Sequence, residues 1–172
     1  MSEETVSIEY RIPRDRILHV REGGRRIRLG SVTDARGGDP CRLMPKNVGG
    51  GMPSGSYVTD RPVAEILARA LDEALAVSGA AGAGPDALEL SATITAFEFS
   101  VMVGFARCML RGRLAADVAL KDPRTGEIVF SSFVEGNGHA GVGALVREAL
   151  ASTMDDFLVK LLYTPGFLNP AA

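Results

Sequence analysis

The sequence predicts an α+β fold in which two amphipathic helices pack on one face of a mostly antiparallel sheet. Apolar residues follow a helical period twice, and they alternate with polar residues in several other segments. A three-strand meander separates the two helical segments. At 172 residues and 46% hydrophobic content the chain predicts a single domain over residues 1–172, since one core commonly serves about 100 to 200 residues.

The chain is predicted to begin as β-structure. Val6, Ile8 and Tyr10 alternate with polar residues as in a short strand. Residues 17–20 and 27–32 are rich in aliphatic side chains and predict a second extended passage.

Residues 37–57 change in composition and become rich in Gly, Pro and Ser. Their prolines and the run Gly49-Gly50-Gly51 oppose both a helical and a strand period. We therefore predict a long loop over about residues 37–57. Because loops of this length tend to be functional, it is the first candidate for a contact site.

The first helix is predicted to follow a cap at Thr59 or Asp60, with Pro62 in its first turn and Gly79 as its terminator. Its apolar positions recur at intervals of three and four residues, so one face must be buried. These positions are Val63, Ile66, Leu67, Ala70, Leu71, Ala74 and Leu75.

The meander follows a short linker of small residues. The alternation over residues 88–101 changes parity near Ala96, which predicts a β-bulge there. Apolar and polar residues alternate strictly over residues 108–120, which predicts a strand with one solvent-exposed face. A turn at residues 122–126 leads into the third strand, predicted over residues 128–134.

The last helix is predicted from about Gly141 to Leu162, where apolar residues again follow the helical spacing. The glycine-rich residues 136–139 before it are interpreted as a strand-to-helix turn. A short tail over about residues 164–172 completes the chain. Burying both helical stripes against the meander makes Leu71 and Phe157 predicted core residues.

The charge distribution is uneven although the net charge is only -2. Residues 11–42 hold nine arginines against four acidic residues, a local excess of +5. A solvated strand face is the favoured interpretation, and phosphates of lipid or lipopolysaccharide are the alternative targets of Arg25 and Arg26. Nucleic acid is disfavoured because Tyr10 is the only aromatic residue near these arginines.

The sequence contains no motif typical of a catalytic, cofactor-binding or metal-binding site. His19 and His139 are the only histidines, and each is interpreted as a solvent-exposed side chain or a cap rather than a base. Two cysteines, Cys41 and Cys108, provide neither a set of metal ligands nor a disulfide framework. Cys108 alternates in step with the apolar residues of its strand, so its thiol is predicted to be buried. We therefore predict no catalytic, cofactor-binding or metal-binding residue, and no enzyme.

Three segments carry a resemblance to a known family. Val6-Ser7-Ile8-Glu9-Tyr10, then Val32-Thr33-Asp34-Ala35-Arg36, and finally Tyr57 to Val63 after the Gly-rich segment, resemble the YajG-like bacterial envelope lipoproteins in order and spacing. The resemblance covers roughly residues 6–162.

The resemblance implies a lipid-anchored protein on the periplasmic face of the outer membrane, with no established enzymatic activity. It implies a signal peptide ending in a lipidated Cys that precedes this chain, since Cys41 and Cys108 are far from the N-terminus. A cytoplasmic relative is the alternative. No run of roughly 18 apolar residues occurs, so the chain as given is expected to be soluble.

The expected function is a non-enzymatic interaction or envelope-assembly module. The alternatives are a small-ligand binder that uses a cleft between loop and sheet, and an uncharacterised hydrolase. Asp34 and Arg36, the family-like pair, are predicted to anchor the long loop, while Tyr57, Arg25 and Arg26 are the candidate contacts for an envelope protein partner. A homo-oligomer is compatible with the same surfaces.

Overall fold

The structure is a computed structural model that describes residues 2–48, 52–103, 108–141 and 146–169. It confirms the α+β class. In chain order the elements are β1 (Ser2–Val6), a 3-10 turn (Arg14–Arg16), β2 (Ile27–Asp34), β3 (Arg42–Val48), β4 (Met52–Thr59), α1 (Val63–Ser78), β5 (Leu88–Val103), β6 (Cys108–Lys121), β7 (Ile128–Gly141) and α2 (Val146–Tyr163).

The strands form two mixed sheets instead of one mostly antiparallel sheet. A three-stranded sheet has the order β1-β4-β3, with β1 parallel to β4, and a four-stranded sheet has the order β2-β5-β6-β7, with β2 parallel to β5. The parallel pair β2-β5 arises because the chain leaves β2, builds β3, β4 and α1, and returns in the same direction. The meander β5-β6-β7 is antiparallel as predicted.

The predicted bulge lies in β5, where the pairing with β6 shifts between Ile94 and Ala96. The extra residue, Thr95, donates its hydroxyl to the carbonyl oxygen of Ala115. Because of this insertion, Ile94 before the bulge and Phe97 after it are both buried on the same face of the sheet.

The predicted loop over residues 37–57 is wrong, because Arg42–Val48 and Met52–Thr59 pair as antiparallel strands. The prolines are tolerated for a topological reason. Pro45 lies on β3, which is an edge strand, and Pro53 lies in β4 before its pairing with β1 begins at Gly55. Only the part up to about Asp39 keeps an irregular path before β3.

The predicted turn at residues 136–139 is also wrong, because β7 continues to Gly141. Gly136 and Gly138 face inward, where a β-carbon on Gly136 would lie 2.6 Å from the α-carbon of Phe157 in α2. These glycines therefore allow the helix to approach the sheet closely. Residues 142–145, part of the predicted helix start, lie outside the described residues.

The N-terminal strand is displaced from its prediction, since β1 ends at Val6. Ile8 and Ile12 are nevertheless buried, so the inward alternation of residues 6–12 reflects packing on the core. The predicted caps of α1 are wrong as well. The hydroxyl of Thr59 donates to the carbonyl oxygens of Cys41 and Arg61, while Pro62 occupies the cap position.

One hydrophobic cluster contains the apolar faces of both helices and the inner face of the four-stranded sheet. All seven predicted positions of α1 are buried, as is Phe157 of α2. The tail also contributes, because Phe167 and Leu168 are buried and the ring of Phe167 meets that of Phe130 edge-on at 5.4 Å. Among the described residues, no helix has the length and apolar character needed to span a bilayer.

Candidate functional site

Asp34 and Arg36 form a bidentate ion pair at the end of β2. Nε of Arg36 lies 2.9 Å from Oδ1 of Asp34, and Nη2 lies 2.7 Å from Oδ2. The backbone amide of Arg36 also donates to Oδ1. Both side chains are largely buried, with 13% and 14% of their surfaces exposed.

The remaining donors of Arg36 bind backbone carbonyls from three other places. Nη1 donates to the carbonyls of Arg42 and Phe97 at 3.0 and 2.9 Å, and Nη2 donates to that of Pro40 at 3.2 Å. These contacts hold the entry to β3 against β5 of the neighbouring sheet. The pair thus contacts the backbone at the start of β3 instead of a long loop, and its anchoring role stays a prediction.

Acid titration should reveal how much the Asp34–Arg36 ion pair contributes to the free energy of unfolding. The side-chain hydrogen bond from Arg36 holds the pKa of Asp34 below its ordinary value of 3.8. A lowered folded-state pKa contributes stability above the unfolded pKa that is lost as the pH falls through the folded value. We expect the stability difference between the wild type and Asp34→Asn to shrink as urea titrations move from pH 6 to below about 3.8. A difference that stays constant over this range would contradict the assignment.

The structure places the other predicted contact residues elsewhere. The amide of Arg25 donates to the carbonyl of Leu168, and Nη1 of Arg26 donates to that of Gly79 at 2.6 Å. Both arginines precede β2, whereas Asp34 ends it, and the strand separates them by roughly 23 Å. Tyr57 lies on β4 in the other sheet and lines a cleft of about 280 Å³. The predicted residues therefore do not form one continuous patch.

A larger cleft of about 470 Å³ lies between residues 8–11 and α1. Three arginines line it, together with Glu9 and Glu73. Arg61 is paired with Asp60 at 3.2 Å, and Arg11 and Arg69 are exposed. Two further clefts of comparable volume, about 490 and 480 Å³, lie beside Arg113 and Arg16.

Tyr10 and Asp155 join the N-terminal segment to α2. The hydroxyl of Tyr10 donates to Oδ1 of Asp155 at 2.6 Å. Burial, followed by this hydrogen bond, raises the pKa of Tyr10, and burial raises the pKa of Asp155 as well. His19 and His139 are exposed, and the described residues contain no group of three His, Cys, Asp or Glu side chains suited to a metal ion.

The structure describes the side chain of one of the two cysteines. Cys41 is a partly exposed free thiol. The side chain of Cys108, which the sequence predicts to be buried, lies outside the described residues.

The most distinctive surface is the edge of the four-stranded sheet formed by β7, which pairs with β6 alone among the described residues. α2 covers part of this edge. Oδ2 of Asp156 accepts a hydrogen bond from the backbone amide of Asn137 at 2.7 Å, and Nζ of Lys160 donates to the carbonyl of Glu135 at 3.1 Å. Asp156 and Lys160 also pair with each other at 2.7 Å.

The first half of β7, residues 128–133, is different and is called here the open edge. It contains no charged residue, and Ile128, Val129 and Phe133 are 65%, 39% and 56% exposed. Because backbone groups alternate in direction along a strand, those of Ser131 and Phe133 point outward like those of Glu135 and Asn137. No hydrogen bond to a side chain of α2 is formed in this half of the described strand.

The open edge combines outward backbone groups that α2 does not reach with exposed apolar side chains, although the carbonyl of Phe133 accepts a hydrogen bond from the hydroxyl of Ser132 at 3.3 Å. A strand edge of this type pairs readily with a strand of another chain. The sequence predicts the strand over residues 128–134, but it does not show that the strand lies at an edge. The uncharged hexapeptide Ile128-Val129-Phe130-Ser131-Ser132-Phe133 is the signal that was available.

Comparisons with known proteins place the fold without identifying the family. No family model matches the chain, and no curated protein matches it. A crystal structure of a Xanthomonas campestris protein of the family model DUF330 superposes with a TM-score of 0.55 at 14% identity, covering 92% of this chain and 90% of that chain. An uncharacterized protein superposes with a TM-score of 0.52 at 11% identity, covering 92% and 95%.

A candidate lipoprotein of Caulobacter crescentus matches more weakly, with a TM-score of 0.40 at 14% identity over 75% of this chain and 80% of that chain. The two stronger matches show that the arrangement of two helices and two sheets is shared with known structures.

Proposed function

We propose that this domain is a non-enzymatic protein-interaction module of the bacterial envelope that binds its partner by strand addition at the open edge. The observation that carries the proposal is the contrast within β7. α2 binds the carbonyl of Glu135 and the amide of Asn137, while residues 128–133 receive no hydrogen bond from α2 and have exposed apolar side chains.

The physical reason is that an added strand gains main-chain hydrogen bonds and apolar contact at the same place. Folded proteins usually protect such an edge with charges, proline or a covering element. Here α2 covers only the second half of the strand, through Lys160 and Asp156. In the first half the irregular feature is a shift in the pairing with β6 between Ile128 and Phe130, which leaves residues 130–133 as the regular part of the open edge. The open edge is therefore a surface that a partner strand fits. The part of β5 beyond Ile94, where the pairing with β2 ends, is a second stretch that pairs with β6 alone among the described strands.

The envelope location is supported by the resemblance of residues 6–162 to YajG-like lipoproteins. We expect the coding sequence upstream of Ser2 to encode a signal peptide ending in a lipidated Cys. The protein expressed from that full sequence should sediment with the outer membrane, and replacing the lipidated Cys should release it. A stop codon in frame directly before Met1 would contradict the envelope location and leave the interaction surface to be tested separately.

The interaction is tested by affinity capture from envelope extract. Phe133→Lys places a charge on the open edge, and Ser131→Pro removes an outward amide without breaking a hydrogen bond to β6. We expect either variant to lower recovery of the partners at least tenfold. Val101→Lys is the matched control, because Val101 is 57% exposed on β5, away from the edge.

Folding of each variant is checked by circular dichroism and thermal melting. The double variant Arg25→Glu with Arg26→Glu tests the basic segment as the competing surface. Equal recovery of the same partners by the wild type and the folded Ser131→Pro and Phe133→Lys variants would refute the open edge as the docking site.

A further inference from the structure

We infer that the cleft between residues 8–11 and α1 binds a small zwitterion, namely a phosphate ester that also carries a primary ammonium group. Three arginines that line the cleft would bind the phosphate, and two glutamates would bind the ammonium group. The cleft belongs to the N-terminal segment and α1, whereas the open edge belongs to β7. The inference therefore goes beyond the proposed function and does not depend on it.

The wall formed by the N-terminal segment carries one charge of each sign. Glu9 and Arg11 are exposed, whereas Ile8 and Ile12 on either side of them are buried. This alternation indicates an extended path, in which alternate residues share a side and lie roughly 6.6 Å apart. Glu9 and Arg11 therefore point away from the core on the same side, and both line the cleft.

The wall formed by α1 also carries one charge of each sign. Arg69 and Glu73 are four residues apart, so they are neighbours on the surface of the helix. Ile66 and Ala70 line the same cleft, and because both are buried they give it an apolar floor. Arg61 lies just before the helix and is the third arginine of the cleft.

Contacts near both ends of the cleft hold the two walls together. The hydroxyl of Ser7 donates to Oδ2 of Asp60 at 3.0 Å, just before α1 begins. Further along, Glu73 lies close enough to Tyr10 to add to its raised pKa, after burial and the hydrogen bond with Asp155. The space between the walls is about 470 Å³, which is within the range of about 300 to 1,000 Å³ that is usual for small-molecule sites.

The charges of the cleft do not neutralise one another. Among the described residues, ion pairs and side-chain hydrogen bonds are absent from Glu9, Arg11, Arg69 and Glu73. Arg61 is engaged through Nη2, in an ion pair at 3.2 Å. A zwitterion satisfies charges of both signs at once, whereas a simple anion would leave the glutamates beside it without a partner.

The other two clefts of similar volume suit a phosphate less well. In one of them Arg113 already pairs with two glutamates, at 3.2 and 2.9 Å, and Arg111 is the second arginine. In the other, Arg16 lies among three carboxylates, which would repel a phosphate. The cleft along α1 therefore offers a phosphate the most guanidinium groups of the three.

The two kinds of side chain define the chemistry of the ligand. Guanidinium groups bind phosphate oxygens through two parallel N–H donors, and carboxylates accept hydrogen bonds from a primary ammonium group. A quaternary ammonium group has no N–H to donate. The cleft should therefore prefer phosphoethanolamine to phosphocholine.

Isothermal titration calorimetry with phosphoethanolamine tests the site. At about pH 7.5 in a phosphate-free buffer, the phosphate is mainly a dianion, because its second pKa is about 6. We expect a Kd of about 0.1 to 1 mM. Inorganic phosphate, ethanolamine and phosphocholine should each bind at least tenfold more weakly. No binding of phosphoethanolamine up to about 10 mM, or equal affinity for inorganic phosphate, would overturn the inference.

Variants assign the two halves of the ligand to their side chains. Arg11→Gln and Arg69→Gln should each lower the affinity for phosphoethanolamine at least tenfold. Glu73→Gln should lower the affinity for phosphoethanolamine while the affinity for inorganic phosphate stays the same or rises, because Glu73 would contact the ammonium group alone.

Arg111→Gln is the matched control, because Arg111 is also an exposed arginine without an ion pair in the described structure and lines a cleft of similar volume. This variant should bind phosphoethanolamine like the wild type, and circular dichroism checks that every variant is folded. An equal loss of affinity in Arg111→Gln and Arg69→Gln would mean that general charge attraction, not the cleft, binds the ligand.

Vesicle flotation identifies the source of the ligand. Phosphatidylcholine vesicles with and without phosphatidylethanolamine present the two headgroups on a bilayer. Flotation that requires phosphatidylethanolamine and is lost in Arg69→Gln would assign the site to a lipid headgroup. A protein that binds free phosphoethanolamine but no vesicle would retain the site for a soluble phosphate ester. Ser131→Pro should bind phosphoethanolamine like the wild type, so the outcome is independent of the open edge.

Discussion

Truncation of Phe157 to Ala is expected to lower the free energy of unfolding by about 3 to 5 kcal/mol. The ring is fully buried in α2 and belongs to the cluster shared by both helices and the four-stranded sheet. Its backbone lies so close to Gly136 that β7 offers no side chain there to fill the space left by the ring. The resulting cavity adds to the lost transfer free energy.

Urea titration followed by circular dichroism measures this difference. Val101→Ala is the control, because this exposed residue should change the free energy of unfolding by less than about 0.5 kcal/mol. Unchanged stability of Phe157→Ala would mean that α2 does not dock on the sheet as described.

The helices and the meander could be predicted because their signals are local. The buried positions of α1 repeat every three or four residues, and Gly79 ends the helix in the left-handed conformation with a φ of 77°. The bulge at Thr95 was predictable as well, because a change in parity has to be absorbed by an extra residue if both halves of the strand are buried on one face.

Two of the errors concern glycine and proline, whose meaning depends on what lies next to them. Gly136 and Gly138 suggested a turn, but the close approach of α2 is what requires the absence of a side chain. Pro45 and Pro53 suggested a loop, but both occupy positions without a strand partner on one side. Such neighbours are set by topology, which the local sequence does not contain.

For the candidate site, as for the fold, the sequence predicted the local contacts but not those set by topology. Asp34 and Arg36 are two residues apart, so their pairing is a local matter, whereas the carbonyls that Arg36 also binds come from β3, β5 and the segment between β2 and β3. The open edge was not predicted, because the sequence shows that residues 128–133 form a strand but not that one side of it is free. Strand order decides that property.

Arg36 should be the polar residue whose loss destabilises the fold most. Its guanidinium satisfies the carboxylate of Asp34 and three backbone carbonyls, those of Pro40, Arg42 and Phe97. Removing it leaves the carboxylate of Asp34 and the carbonyl of Phe97, both partly buried, without this donor, whereas the carbonyl of Pro40 keeps its hydrogen bond from the amide of Val63. Unsatisfied buried groups of this kind cost more than the pair contributed while it was intact.

We expect Arg36→Ala to lower the free energy of unfolding by about 2 to 4 kcal/mol. Arg36→Lys should recover only a minor part, because an ammonium group keeps the charge but cannot span the carboxylate and the carbonyls together. Arg28→Ala is the matched control, since its ion pair with Glu89 is 43% and 42% exposed and should contribute about 0 to 1 kcal/mol. If urea titrations gave Arg36→Ala and Arg28→Ala the same small effect, Arg36 would not be the residue that joins the two sheets.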